Sequence, residues 1–189
     1  MVPLATTFSI VFLAEMGDKT QLTAMTLSSK SSAITVFAAA MSAFLIVDGV
    51  SAMLGGELLR FLPSEWVAFS SGIVFLLFGA FSLIRRNQRI KVANRKTTFL
   101  QTFSLVSLME LGDKTQIASI VLAAEFKSSL IVLAGVMLAF LVATGIGVIC
   151  GSKILRLLPE RYLKIGTSLL FLFFGFVFIL DAITGTPLL

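Results

Sequence analysis

The chain has no histidine, one cysteine and few charges, and each shortage removes a class of function. Without imidazole, histidine-based metal sites are excluded, and any proton coupling falls to carboxylates or to lysine. A single thiol, Cys150, cannot close an internal disulfide, and its apolar run reads as the setting of a buried small side chain. No serine–base or reactive-cysteine constellation stands out, so nothing argues for an enzyme. Only 13% of residues are charged, where soluble domains run near a quarter. The N-terminus lacks a basic n-region and an A-x-A-like cleavage site, so the first apolar run is expected to stay as a helix.

What remains is an apolar chain. With 57% hydrophobic residues and a mean hydropathy of +1.01, it reads as an all-α integral membrane protein with no appreciable soluble domain. Apolar runs of about 20 residues recur, each long enough to cross a hydrocarbon core of roughly 30 Å as a helix. Six spans are expected, at roughly 4–27, 33–54, 66–85, 99–123, 129–150 and 162–181. Helices are required because backbone polar groups in lipid must be satisfied within the segment. The one clearly polar connector, Arg85 to Lys96, separates a first unit (1–86) from a second (99–189), with 87–98 as a basic linker. In such a protein the net charge of +5 marks cytoplasmic loops, so no nucleic-acid partner is expected. Membrane lipid is the expected surrounding, and the basic linker reads first as a topology determinant.

The two units are copies. Met41-Ser42-Ala43-Phe44-Leu45 matches Met137-Leu138-Ala139-Phe140-Leu141, and Leu59-Arg60-Phe61-Leu62-Pro63 matches Leu155-Arg156-Leu157-Leu158-Pro159. Phe75-Leu76-Leu77-Phe78-Gly79 matches Phe171-Leu172-Phe173-Phe174-Gly175 at the same offset of 96 residues. Three spans per copy leave the chain on the opposite face, so the second copy is expected upside down. The charges agree with this inversion. If the basic linker is cytoplasmic, both termini are outside. The loop with Glu57, Arg60 and Glu65 then lies outside, and its basic counterpart with Lys153, Arg156, Glu160, Arg161 and Lys164 lies inside. Trp66 and Tyr162 suit interfacial anchors on the two faces, and Pro63 and Pro159 suit the first turn of the helix that follows. Inverted repeats of this kind build secondary transporters, with the substrate near the midplane.

One stretch within each copy carries the chemistry. Glu15-Met16-Gly17-Asp18-Lys19-Thr20-Gln21 recurs as Glu110-Leu111-Gly112-Asp113-Lys114-Thr115-Gln116, three charges each time inside an apolar run. On a continuous helix Glu15, Asp18 and Lys19 share a face that Gln21 extends, while Thr20 points elsewhere and bonds a carbonyl of the preceding turn. Gly17 removes a side chain between the acids and eases a local break. Each charge at the bilayer centre costs about 2.5–3.5 kcal/mol on insertion scales, so six imply about 15 kcal/mol before pairing. Lys19 and Lys114 each neutralise one carboxylate, which leaves a deficit that one divalent cation fills. Glu15, Asp18, Glu110 and Asp113, supported by the amide oxygens of Gln21 and Gln116 and the hydroxyls of Thr20 and Thr115, form an all-oxygen set. That set suits Ca²⁺, Mn²⁺ or Mg²⁺ better than copper or structural zinc. Four clustered carboxylates hold either an ion or protons, which is the core of a cation/proton antiporter. The plainer alternative is an intrahelical Glu15–Lys19 pair acting as packing glue.

Asp48 is a further intramembrane acid, whose repeat counterpart is Thr144. It reads as an accessory ligand, a proton-accepting group or a helix-packing hydrogen bond. Glu57, Glu65, Glu125, Glu160 and Asp181 fall in loops or at span ends and read as solvated. The methionines read as apolar filling, and glycine patches such as Gly55-Gly56 as close helix packing.

The doubled E-x-G-D-[K/R]-[T/S] motif, in the first helix of each three-helix half, resembles the Golgi-type calcium/manganese:proton antiporters, uncharacterised protein family 0016 in older usage. The resemblance covers essentially the whole chain. It implies exchange of Mn²⁺ or Ca²⁺ for protons, with Glu15, Asp18, Glu110 and Asp113 binding the ion and no resident cofactor. In short prokaryotic members it implies Mn²⁺ export at the plasma membrane. Two rival readings of the same residues are an exporter of small cationic organic solutes and a non-transporting assembly protein. A homodimer is compatible with all three.

Overall fold

A computed structural model of the chain describes residues 2–59, 61–84, 98–155 and 160–185, and within the last two ranges the side chains at 150–161, 163 and 164 fall outside the description. The basic connector, the charged side chains of the basic loop, Arg60, Pro159 and the Cys150 thiol therefore lie outside the described residues. Every described element is helical: α1 (Val2–Glu15), α2 (Lys19–Ser28), α3 (Ala33–Phe44), a π-helical turn (Leu45–Gly49), α4 (Val50–Leu59), α5 (Ser64–Ile84), α6 (Phe99–Glu110), α7 (Lys114–Glu125), α8 (Ser129–Leu155) and α9 (Glu160–Thr184).

Four helical stretches are long and apolar enough to cross a membrane: Ala33–Leu59, Ser64–Leu83, Ser129–Ile149 and Ile165–Thr184. The other two expected spans, 4–27 and 99–123, are not continuous helices. Each is a pair of short helices, α1 with α2 and α6 with α7, separated at the glycine of the motif. Gly17 and Gly112 both sit at φ 75°, a left-handed conformation that costs an ordinary L-residue about 1–2 kcal/mol. Local capping begins the helices between them. The Ser32 hydroxyl accepts from the Thr35 N–H at 3.4 Å to start α3. Thr98 and Gln101 form a reciprocal capping box at the start of α6.

The core forms where the sequence copies meet. Phe44 stacks on its own repeat counterpart Phe140, ring centroids 3.7 Å apart and planes within 9°. Phe75 meets its counterpart Phe171 edge-on at 5.3 Å. The closest helix pair, α5 with α9, follows the same rule. Gly79 leaves room for Leu172, and Gly175 leaves room for Leu76, the equivalent contact with the copies exchanged. Ser168 Oγ donates to the Gly79 carbonyl across this seam. Elsewhere α1 lies on α8 and α3 on α6, again an exchanged pair, while α4 lies on α7 and α2 on α8. Trp66 and Tyr162 are both exposed, as interfacial side chains would be.

The α5–α9 seam generates a test. A Cβ added at Gly175 would fall 2.8 Å from the Leu76 backbone nitrogen and 3.0 Å from the Gly72 carbonyl oxygen, so the helices must separate to accept it. Gly166, about two and a half turns earlier on α9, has nothing within 4 Å. Gly175→Ala is expected to cost about 1–3 kcal/mol, and Gly166→Ala to stay within about 0.5 kcal/mol of the parent. Thermal unfolding in detergent measures both; equal melting temperatures would show that the seam does not depend on glycine.

Candidate cation site

The two breaks have one geometry. Glu15 ends α1 and Asp18 sits at the N-cap of α2 with φ −72° and ψ 166°; Glu110 ends α6 and Asp113 caps α7 with φ −78° and ψ 165°. Neither aspartate side chain bonds its own helix end, so both are released to face the centre. A broken helix also brings backbone charge to the same place. The carbonyl ends of α1 and α6 and the amide ends of α2 and α7 converge on the acids and lysines.

The glutamines stabilise the breaks. Gln21 Oε1 accepts from the Gly17 N–H at 2.7 Å, and Gln116 Oε1 accepts from the Gly112 N–H at 2.7 Å. Each thus gives an amide at its break a side-chain acceptor. The other end of each side chain reaches the opposite copy. Gln21 Nε2 donates to the Ala143 carbonyl of α8 at 2.6 Å, and Gln116 Nε2 donates to Ser51 Oγ of α4 at 2.8 Å. Each of these amide oxygens, expected as an ion donor, here accepts one backbone N–H and keeps a second lone pair.

Charge pairing also runs between the copies. Lys19 Nζ lies 2.9 Å from Asp113 Oδ1, and Lys114 Nζ lies 2.9 Å from Asp18 Oδ1. The plainer alternative, an intrahelical Glu15–Lys19 pair, is not formed: Lys19 pairs with Asp113 across the break instead. Lys114 further approaches Asp113 Oδ2 at 3.4 Å and Glu15 Oε1 at 3.8 Å. One ammonium thus touches Glu15, Asp18 and Asp113, the same three acids that each offer a carboxylate oxygen within 4.8 Å of the others. Two oxygens of this group, Glu15 Oε1 and Asp18 Oδ2, are buried without a hydrogen-bond donor. Buried hard oxygens lacking donors are the groups a hard divalent cation satisfies best.

The fourth expected acid stands apart. Glu110 is fully buried, and its two oxygens accept from hydroxyls, Thr20 Oγ1 at 2.5 Å and Thr115 Oγ1 at 3.2 Å. Thr20 was expected to bond a carbonyl of its own preceding turn; instead it crosses to the other copy, because the break places it at the start of a new helix. Asp48 lies in the π-helical turn, with 0% of its surface exposed and neither carboxylate oxygen hydrogen-bonded. The expected helix-packing hydrogen bond is therefore absent. Sequence reasoning missed Ser51 and the Ala143 carbonyl. The signal for Ser51 was present, since the repeat offset pairs it with Gly147.

Comparison with known proteins bears on what this geometry serves. The family described as "Divalent cation/proton antiporter GDT1" matches residues 3–89 and 98–186, both copies of the repeat. A protein of Saccharomyces cerevisiae named "Divalent cation/proton antiporter GDT1" is 25% identical over 93% of this chain and 82% of its own length. A Vibrio cholerae protein named "Putative manganese exporter" is 31% identical over 91% of this chain and 88% of its own. "Protein PAM71, chloroplastic" of Arabidopsis thaliana is 29% identical over 95% of this chain, which spans 57% of that longer protein. No solved structure matches. The activity these matches carry is transport and not catalysis. With doubled acidic motifs brought together at paired helix breaks and a match through both copies, this chain belongs to the GDT1 family of divalent cation/proton antiporters.

Proposed function

We propose that the chain exports Mn²⁺ from the cytoplasm, in preference to Ca²⁺, in exchange for protons. The observation that carries this reading is the oxygen cluster of Glu15, Asp18 and Asp113, within 4.8 Å, drawn from both copies of the motif. Manganese is favoured by the name of the Vibrio cholerae relative, and the hard donor set without histidine or thiolate accommodates it as it does Ca²⁺. On this reading each broken pair crosses the membrane as one span, giving six spans in two inverted repeats (1–86 and 99–189) joined by a cytoplasmic linker (87–98). Both termini are then outside, at the plasma membrane. The meeting of Phe44 with Phe140 and of Phe75 with Phe171 supports a two-fold relation between the repeats, because equivalent residues touch one another only near such an axis.

Exchange follows from charge. The four motif acids exceed the two lysines by two, and Lys114 occupies the position an ion would take. An arriving divalent cation displaces the Lys114 ammonium from Glu15, Asp18 and Asp113, and Glu110 completes the set as the fourth carboxylate. When the ion leaves on the far side, protons replace it as the neutralising charge, since clustered carboxylates in a low-dielectric site repel. Asp48, buried without a donor on a turn that packs against α6 and α7, is the proton-accepting group beside the ion. Lipid surrounds the spans, and no part of the cycle requires a second copy of the chain.

Two predictions separate the roles. Glu110→Gln and Asp113→Asn should each abolish Mn²⁺/proton exchange in proteoliposomes under an imposed pH gradient while the protein still inserts and purifies. Retained proton-coupled flux in either variant would sink the assignment. Lys114→Met removes the competing ammonium. It should lower the half-saturating Mn²⁺ concentration on the order of tenfold and slow turnover, because one lost ion pair is worth at least ~1.4 kcal/mol in a site of this kind. Unchanged half-saturation would show that Lys114 does not contest the ion.

A further inference from the structure

We infer that Gln21 and Gln116 are positioning residues that tie each motif break to the opposite repeat, and that the Ser51 hydroxyl sets the reach of the second tie. The inference rests on the proposed ion site only in saying what is positioned. The amide orientation follows from the partners: a backbone N–H can only donate, so the atom facing Gly17 or Gly112 is the oxygen and the NH₂ faces away. Each glutamine is thus a strut, with one end on the amide between the two acids of its motif. The other end rests on the second helix of the other copy. Displacing a strut displaces Glu15 and Asp18 together, or Glu110 and Asp113 together.

The struts end at equivalent places by different means. Gln21 bonds the Ala143 carbonyl directly. Gln116 bonds Ser51 Oγ, which itself donates to the Val47 carbonyl at 2.6 Å. Val47 is the repeat counterpart of Ala143, and Ser51 that of Gly147. A Cβ at Gly147 would lie 3.1 Å from Gln21 Cγ and crowd the glutamine by a few tenths of an ångström, so glycine there favours the direct contact. Where the counterpart is serine, the glutamine stands one hydroxyl further out. The consequence is visible at the breaks: Gly17 is buried, while Gly112 is exposed and a Cβ on it would meet nothing within 4 Å. The second break is the more exposed, and among the described residues the Gln116 side chain is bridged to α4 through Ser51.

Ser51→Ala removes the bridge and keeps the Cβ that crowds direct contact. Ser51→Gly removes both and opens the route that Gln21 uses. In the full-length protein in detergent, S51A should speed hydrogen exchange of the 108–116 segment about fivefold, the effect of losing one modest hydrogen bond, and S51G should recover most of that protection. In proteoliposomes S51A should raise the half-saturating Mn²⁺ concentration by a similar factor with a smaller change in maximal rate, again recovered by S51G. Exchange protection unchanged in S51A, or lost equally in S51G, would overturn the inference. If Glu110→Gln retains proton-coupled flux while the protection pattern holds, the ion assignment fails and the strut stands.

Discussion

The structure depends on two interrupted helices that are satisfied only by each other. A helix broken among apolar residues leaves amides and carbonyls unpaired where water is scarce, each at a cost of several kcal/mol. Six charges beside the breaks add about 15 kcal/mol before pairing. Neither copy of the motif resolves this alone. Lys19 needs Asp113, Lys114 needs Asp18, and each glutamine needs the second helix of the other copy for its NH₂ group. The phenylalanine contacts between equivalent residues hold the two copies at the separation these bonds require.

That crosswise arrangement explains why charges so costly are kept in duplicate. A self-contained Glu–Lys pair on one helix would be neutral whatever the other helix did, and would have nothing to exchange. Crossed pairs make the neutrality of each break conditional on its partner. On the proposed reading, a cation that draws Asp18 and Asp113 to itself releases Lys114 from both at once, which links occupancy of the centre to the relation between the copies through the same atoms. Lys114 acts as a counter-ion within the carboxylate cluster.

Much of the fold and the cast of the site could be read from residues alone, because duplication makes a signal that periodicity does not. The motif residues, the long apolar spans and the offset between copies all follow from comparing the chain with itself. The geometry of the site did not follow. Glycine at the middle of Glu15-Met16-Gly17-Asp18 is compatible with a straight or an interrupted helix, and propensity differs between them by too little to decide. Once the helix breaks, every argument from helical spacing past Gly17 loses its frame. Thr20 and Lys19 therefore turn to the other copy, and Gln21 turns its oxygen back to the Gly17 amide. The π-helical turn at Leu45–Gly49 was equally hidden, since Leu141–Gly145 has a similar sequence and stays within an uninterrupted α-helix.

Some of the divergence between the copies falls beside the motifs. Asp48 faces Thr144 across the repeat, Ser51 faces Gly147, and a π-helical turn faces a regular one. Both threonines of the motif serve Glu110 and neither serves Glu15. A pair of identical repeats would give an ion equivalent surroundings on the two sides of its centre and no reason to bind protons more readily at one carboxylate than another. Here three acids share one ammonium, a fourth is held by hydroxyls, and a fifth has no donor at all. Five carboxyl groups in three different surroundings can take up protons at different stages of a cycle, whereas four equivalent ones would titrate as a block. On the proposed reading, the two-fold relation brings the motifs together, and the departures from it distribute the protons that replace the ion.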